Sequence, residues 1–448
     1  ALAATADAEG LTEFAAAAHL ACASLEDRAG ELEAATASAR VAFARADATG
    51  DDRLRAQAEI LLVSLHAQRR QLDVAFEWVG LSRATLTRLG DPPTLRAMLG
   101  THEGNALHLA GRFPEALARR LEVLELREEQ MGELDPALAD AHANLATALL
   151  ELGKLQEARE HLVLALELRT RALGPLHPDV SRTHNHLGNV LTDQGELEAG
   201  ARELQLAIDI GTIALGPDDI AVGHSLVNLG STLAQGRDAR AAVPAYERGI
   251  AIIERARGPE DADVGSALGN LGRVLAHLED SDPQRAIEVL TRARAIEVAV
   301  LGPDHANLCY VDNSLATAYM RAGRLVEAAG AAESAVRIAT LAFGESHTMV
   351  ALAWDAVGEV AAARHDLRGA VAAFERALAI LEVEDSRPAA RGEVRFHLAE
   401  ALGDSGELAR AVALAHAARR EFIEEEGDHI EHVRGIEQWL ATHERTPG

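Results

Sequence analysis

Histidine is the side chain in this sequence with the most capacity for chemistry, and 19 are present. His184 and His186 lie two apart and would face different sides of a helix, while His429 and His432 lie three apart in an acidic stretch. No set supplies three ligands at metal spacing, so the histidines read as structural or solvated and no metal is expected. Glu424-Glu425-Glu426 could hold a cation or act as an acid, but a run of like charges is more often a solvated face. Cys22 and Cys309 are the two cysteines; they supply neither a disulfide framework nor a zinc cluster, which fits a reducing cytoplasm. Cys309 has no recognisable His and Asp arrangement to make it a nucleophile. The Gly-Pro turns lack the Gly-Lys-Ser/Thr ending of a phosphate loop. The sequence therefore offers no catalytic residue, requires no cofactor, and is not expected to be an enzyme.

Composition narrows the alternatives. Of the 448 residues 48% are apolar but only 3% aromatic, so helices must approach one another through small side chains, which favours stacked helices over a β-rich fold. A formal charge of −27 opposes binding to nucleic acid, because counterion release needs clustered Lys and Arg. No apolar run approaches the ~20 residues that span a bilayer; the nearest, residues 14–25, is Ala-rich and contains His19. A soluble, cytoplasmic chain with no membrane partner is expected. Lys154 is the only lysine against 42 arginines, a bias expected of a GC-rich genome. The chain begins with Ala1 and is expected to be a fragment whose true N-terminus lies upstream.

The elements that must position any functional side chain announce themselves by repetition. Leu173-Gly174-Pro175 recurs as Leu215-Gly216-Pro217, Arg257-Gly258-Pro259, Leu301-Gly302-Pro303 and Phe343-Gly344-Glu345, at spacings of 42, 42, 44 and 42. The two extra residues of the irregular unit fall most simply in Glu279-Asp280-Ser281-Asp282, between its helices. Gly104, Ala146, Gly188, Gly230, Gly272, Ala316, Gly358 and Ala399 mark a first helix, and Ala116, Ala158, Gly200, Ala242, Ala286, Ala328, Ala370 and Ala411 mark a second. A small residue on each lets paired backbones approach while neighbouring leucines fill the groove. The turn glycines suit a left-handed helix cap, and Asp179, Asp218, Asp219, Asp261 and Asp304 stand where the next helix needs its first donors capped.

These small and apolar positions, with Trp354, resemble the tetratricopeptide repeat consensus, strongly over residues 94–418 and weakly over 11–90. The 42-residue period and the stretch from Leu173 to Val180 resemble the longer variety found in kinesin light chains and many bacterial proteins. The resemblance implies an all-α, right-handed superhelical solenoid of about ten helical pairs. Residues 1–93 form irregular helical repeats, 94–426 regular ones, and 427–448 a capping helix and tail. Ile430, Val433, Ile436 and Leu440, with Trp439 beside them, form the stripe that closes the open end. The ending also resembles the C-terminal repeat regions of bacterial serine/threonine kinases, although no kinase motif is present.

The repeat pattern implies that Arg182, Asn185, Asn189, His224, Arg273, Tyr310, Asn313, Thr317 and nearby Arg321 face a concave groove, with Asn144, Asn228 and Asn270 next to this row. Amides that donate and accept suit the backbone of an extended peptide, and the arginines suit a carboxylate. Ala143, Asn185, Val227 and Gly269 occupy the position where carboxylate-clamping relatives have Lys, so that particular ligand is not expected. The expected function is a scaffold that binds a peptide or protein segment in the groove, an acidic extended segment best of all. The alternative is the non-catalytic regulatory or sensing region of a larger bacterial signalling protein such as a serine/threonine kinase. Self-association through the irregular first 90 residues is a third.

Overall fold

The small-residue pattern dictates helices that touch along their length, and helices joined by short loops are what form. The computed structural model describes residues 12–130, 136–236, 239–383, 387–424 and 429–443. Among these there are 21 α-helices and no strand, arranged as ten pairs and a final helix. No helix of the described residues is long and apolar enough to cross a membrane.

The chain divides into two compact units, Ala1–Pro217 and Asp218–Gly448. The first holds the pairs α1 (Thr12–Arg28) with α2 (Leu32–Thr49), α3 (Asp52–Gln68) with α4 (Leu72–Arg88), α5 (Pro93–Leu109) with α6 (Phe113–Gln130), α7 (Pro136–Glu151) with α8 (Leu155–Leu173), and α9 (Pro178–Asp193) with α10 (Leu197–Ala214). The second holds α11 (Ile220–Gln235) with α12 (Ala242–Arg257), α13 (Ala262–His277) with α14 (Pro283–Leu301), α15 (Asn307–Arg321) with α16 (Leu325–Phe343), α17 (Thr348–Ala363) with α18 (Leu367–Val383), and α19 (Pro388–Ser405) with α20 (Leu408–Glu424), followed by α21 (Ile430–His443). Within the second unit α13 also lies against α15, and α15 against α17, so first helices stand side by side.

The small residues sit at the contacts. Ala116, Ala158, Ala242, Ala286, Ala328, Ala370 and Ala411 are all 0% exposed. A methyl group added to Gly272 would lie 2.5 Å from Cγ of the buried Leu290, and one added to Gly230 would lie 2.9 Å from the ring of the buried Tyr246. Both approaches are too close for a side chain to fit without movement. The loop from α13 to α14 spans residues 278–282, five residues where the loops after α7, α9, α15 and α17 have three, so the extra pair lies where the repeat arithmetic put it.

Two expectations about the turns need correction. Gly174, Gly258, Gly302 and Gly344 do have positive φ, but with ψ near 160° (158°, 161°, 163° and 164°). They do not form the left-handed cap, which has ψ near +47°. They occupy an extended mirror region open essentially to glycine alone, and this redirects the chain sharply before the next helix. Capping is likewise shared differently. Asp219 and Asp261 accept from Ala221 N and Asp263 N, as expected. Elsewhere a histidine does this: Nδ1 of His177 accepts from Asp179 N and Nδ1 of His347 from Met349 N, each at 3.1 Å. Asp179 therefore lies inside the first turn, while Asp218 and Asp304 pair with Arg255 and Arg337. An imidazole nitrogen two residues before a backbone N–H serves the orphan donor as a carboxylate would.

At the far end Ile436 and Leu440 of α21 are 1% and 5% exposed, packed with Ala399, Ala415, Ala418 and Phe422. Val433 and Trp439 are partly buried against the same cluster. Ile430, expected in the stripe, is 62% exposed and takes no part in this cluster.

Since each pair packs mainly on its neighbours, damage should stay local. Gly272→Ala should cost ~1–3 kcal/mol through overpacking against Leu290. Hydrogen exchange should then rise in α13, α14 and the adjoining helices. A uniform loss of protection across the described residues would contradict this.

Candidate ligand-binding cleft on the first helices of the second unit

Between the side-by-side first helices α13 and α15 of the second unit lies a cleft of mixed apolar and polar lining, floored by α14. Its volume is about 540 Å3, within the ~300–1,000 Å3 of ordinary small-ligand sites. Ser266, Asn270 and Arg273 come from α13, Asn307, Tyr310 and Ser314 from α15, and Glu297 from α14. Arg273 and Tyr310, two residues expected on the groove face, thus meet in one site. Arg273 is exposed and has no ion-pair partner among the described residues; Tyr310 is 49% exposed.

The other expected residues fare differently. Arg321 is bound: its Nη1 donates to the carbonyls of Leu275 (3.1 Å) and Ala276 (2.8 Å), and its Nη2 to those of Glu279 (2.9 Å) and Ser281 (3.1 Å). It seals the C-terminus of α13 and the long loop, so its guanidinium is not free for a ligand. Asn313 lies half-buried on α15 with an Oδ1 that accepts no hydrogen bond, and Thr317 donates back to the Asn313 carbonyl. Nε2 of His224 lies 3.2 Å from Asp263, which also takes Arg257 at 2.7 Å. In the first unit, on α9, Arg182 is exposed and paired with Asp179 at 2.8 Å, while Asn185 and Asn189 are half-buried.

Glu297 escaped sequence reading because it belongs to a second helix. The one available signal was an acid at a register where neighbouring repeats have Ile253 and Ala339. It is 4% exposed, and burial followed by the charge of Asp312 pushes its carboxyl above the usual range. Asp312 itself, 1% exposed, is satisfied by Arg294 Nε and Ser334 Oγ, each at 2.6 Å.

The histidines, acids and cysteine with capacity for chemistry lie apart among the described residues. Among the described residues no three His, Cys, Asp or Glu side chains converge as a metal would require. His184 faces Glu203 at 2.6 Å, and His429 and His432 contact the Phe422 ring. Glu425 and Glu426 lie outside the described residues. Burial and then Asp312 push the Cys309 thiol up to about 11, which disfavours its thiolate near neutral pH.

Two titrating clusters oppose each other in sign. In the first unit, Nδ1 of His142 lies 3.0 Å from Nδ1 of His161, and burial followed by that neighbour pulls His142 down from 6.5 to about 4. In the second, burial raises Glu359 from 4.5 to about 7; Asp355 and Glu393 add to this, against the pull of His397. His397 stays charged despite burial because Asp355, at 3.0 Å, with Glu359 and Glu393 holds it up at about 10.

For His142 the unfolded chain takes up its proton first. Its contribution is therefore full above about 6.5 and falls towards pH 4 by up to ~3 kcal/mol. For Glu359 the unfolded chain loses its proton first, so stability is full below about 4.5 and declines towards pH 7. Between pH 5 and 7, exchange corrected for intrinsic rates should slow in α7 and α8 but quicken in α17 and α19. His142→Asn should flatten the first trend and Glu359→Gln the second.

Comparisons with known proteins agree with this architecture. The tetratricopeptide repeat family model matches residues 94–171, 139–210, 179–255 and 307–382, together more than half of the chain. No curated protein matches the sequence. Among solved structures, a Rap protein complexed with Competence and Sporulation Factor is 13% identical with a TM-score of 0.53, over 87% of this chain and 99% of that one. A Signal Transduction ATPase with Numerous Domains from Pyrococcus horikoshii, which has a tetratricopeptide repeat sensor, is 15% identical with a TM-score of 0.54, over 82% of this chain and 55% of that one. A Podosopora anserina protein of nearly identical TPR-like repeats, named for kinesin light chain, is 20% identical with a TM-score of 0.40, over 47% of this chain and 99% of that one.

Proposed function

We propose, from the premise that this chain belongs to the tetratricopeptide repeat family, that it is a non-catalytic scaffold that binds an extended peptide or protein segment on its first helices. The observation that carries the reading is the cleft between α13 and α15, where an unpaired Arg273, a half-exposed Tyr310 and the amides of Asn270 and Asn307 adjoin. Amides serve a peptide backbone whatever its sequence, the ring offers an apolar face, and the guanidinium takes a carboxylate. An extended segment with one or two acidic residues and an apolar or aromatic anchor suits this set. Arg321 would not read charge, because four carbonyls occupy its guanidinium.

A second reading draws on the likeness to the sensor-bearing ATPase. The chain would be the sensing region of a larger cytoplasmic signalling protein, and the cleft would hold what is sensed. The reading frame upstream of Ala1 distinguishes the two: an effector domain encoded there favours the sensor.

Selection of binders from a displayed random-peptide library on the intact chain tests the site. Arg273→Ala with Tyr310→Ala should weaken the selected peptides at least about tenfold, or ~1.4 kcal/mol, with helicity unchanged. Arg285→Ala on α14, which breaks only an exposed pair with Glu247, should have no effect. The reverse result would move binding off the first helices.

A further inference from the structure

Glu297 is the feature of this cleft that folding alone does not account for. The side chain is 4% exposed and its Oε2 is buried without a hydrogen-bond partner; among the described residues the carboxyl has no ion pair. Arg169 and Glu421 also bury one polar atom without a hydrogen bond, but each is held by partners through its other atoms. Arg169, at the matching position of an earlier second helix, pairs with Asp140 at 2.5 Å and donates to Thr183 at 2.7 Å. Glu421 takes both Arg391 and Arg395. Glu297 has instead an opening. Gly269 lies above it, and a methyl group there would stand 3.8 Å from Oε1, whereas the corresponding residues Ala143, Asn185 and Val227 all carry side chains. The carboxyl therefore faces the cleft through the space a glycine leaves free.

We propose that Glu297 is the recognition residue for a basic side chain, the lysine or arginine of an extended peptide, whose ammonium or guanidinium enters the cleft while a neighbouring carboxylate of the same peptide stays at its mouth on Arg273. The inference deepens the groove reading above and rests on it. A buried carboxyl without a partner is costly, and a donor brought by the ligand removes that cost at the moment of binding. Arg273 at the exposed rim and Glu297 at the floor set the polarity of the occupant: positive end inward, negative end outward. The chain's charge of −27 draws basic segments towards it at long range. A purely acidic peptide would fill the mouth and leave the floor unsatisfied, so basic and acidic residues close together in one segment are what the site selects.

The test is an array of synthetic nonapeptides, each with one Asp fixed and one position one to four residues away set to Lys, Arg, Gln or norleucine, probed with the intact chain. At the best spacing, Lys or Arg peptides should be retained at least about tenfold better than the norleucine peptide. Glu297→Gln should erase that preference, while Arg273→Ala should weaken the dependence on Asp and keep the preference for the basic residue. If norleucine peptides bind as well as basic ones, or Glu297→Gln keeps the preference, the role of Glu297 is overturned and the groove reading stands. If no peptide is retained, or if binding ignores both substitutions, the groove reading falls with it. Thermal unfolding is the second measurement. Because Glu297→Gln removes a buried charge that makes no native bond, the melting temperature should rise or hold; a clear fall would make Glu297 a structural residue and overturn the proposal.

Discussion

Close approach of helix backbones through small side chains is the constraint on which the rest depends. With so few aromatic rings the chain cannot fill wide gaps between helices, so alanine and glycine at fixed positions bring the helices together and leucines complete the packing. The marker alanines of the second helices expose no surface, and Gly188, Gly230, Gly272 and Gly358 of the first leave no room for a methyl group. No helix buries its apolar stripe alone, so each pair relies on the next, and a last helix must cover the end. Ile436 and Leu440 do this.

Buried charge shows what this economy of volume permits. Glu59 is held by Arg55 at 2.9 Å and Thr85 at 3.1 Å, and Arg120 donates to the Asn144 carbonyl at 2.6 Å. A buried ion that keeps good partners is tolerated, and one that loses them is strongly destabilising. Glu297 departs from that pattern at the position where a glycine opens the wall above it. Departures from local consistency concentrate at functional sites.

The irregular repeat and the bound arginine are one feature. Arg321 from the next first helix binds two carbonyls of the lengthened loop after α13, those of Glu279 and Ser281, together with those of Leu275 and Ala276 in the last turn of α13. The insertion is thereby fixed in place. A planar guanidinium with several donors suits that role better than a lysine would.

Period, residue type and turn glycines determined the helical pairs, their order, the insertion site and the closing helix, because those depend on which neighbours a residue has along one helix and the next. The turn glycines showed their limit: a sequence signals that φ is positive at Gly174 or Gly302 but not whether ψ lies near 45° or 160°. Nor did it show that His177 and His347 cap where aspartates stand nearby, since cap geometry follows from how the chain leaves the preceding turn. At the cleft, the repeat positions of Arg273 and Tyr310 put both on one face of the first helices, and both line it. That Arg321 is occupied, and that Glu297 reaches the same cleft from a second helix beneath Gly269, depended on side chains meeting across three helices. Only the tertiary structure decides such meetings, because the repeat fixes where each backbone runs while the length and partner of each side chain fix what reaches the cleft.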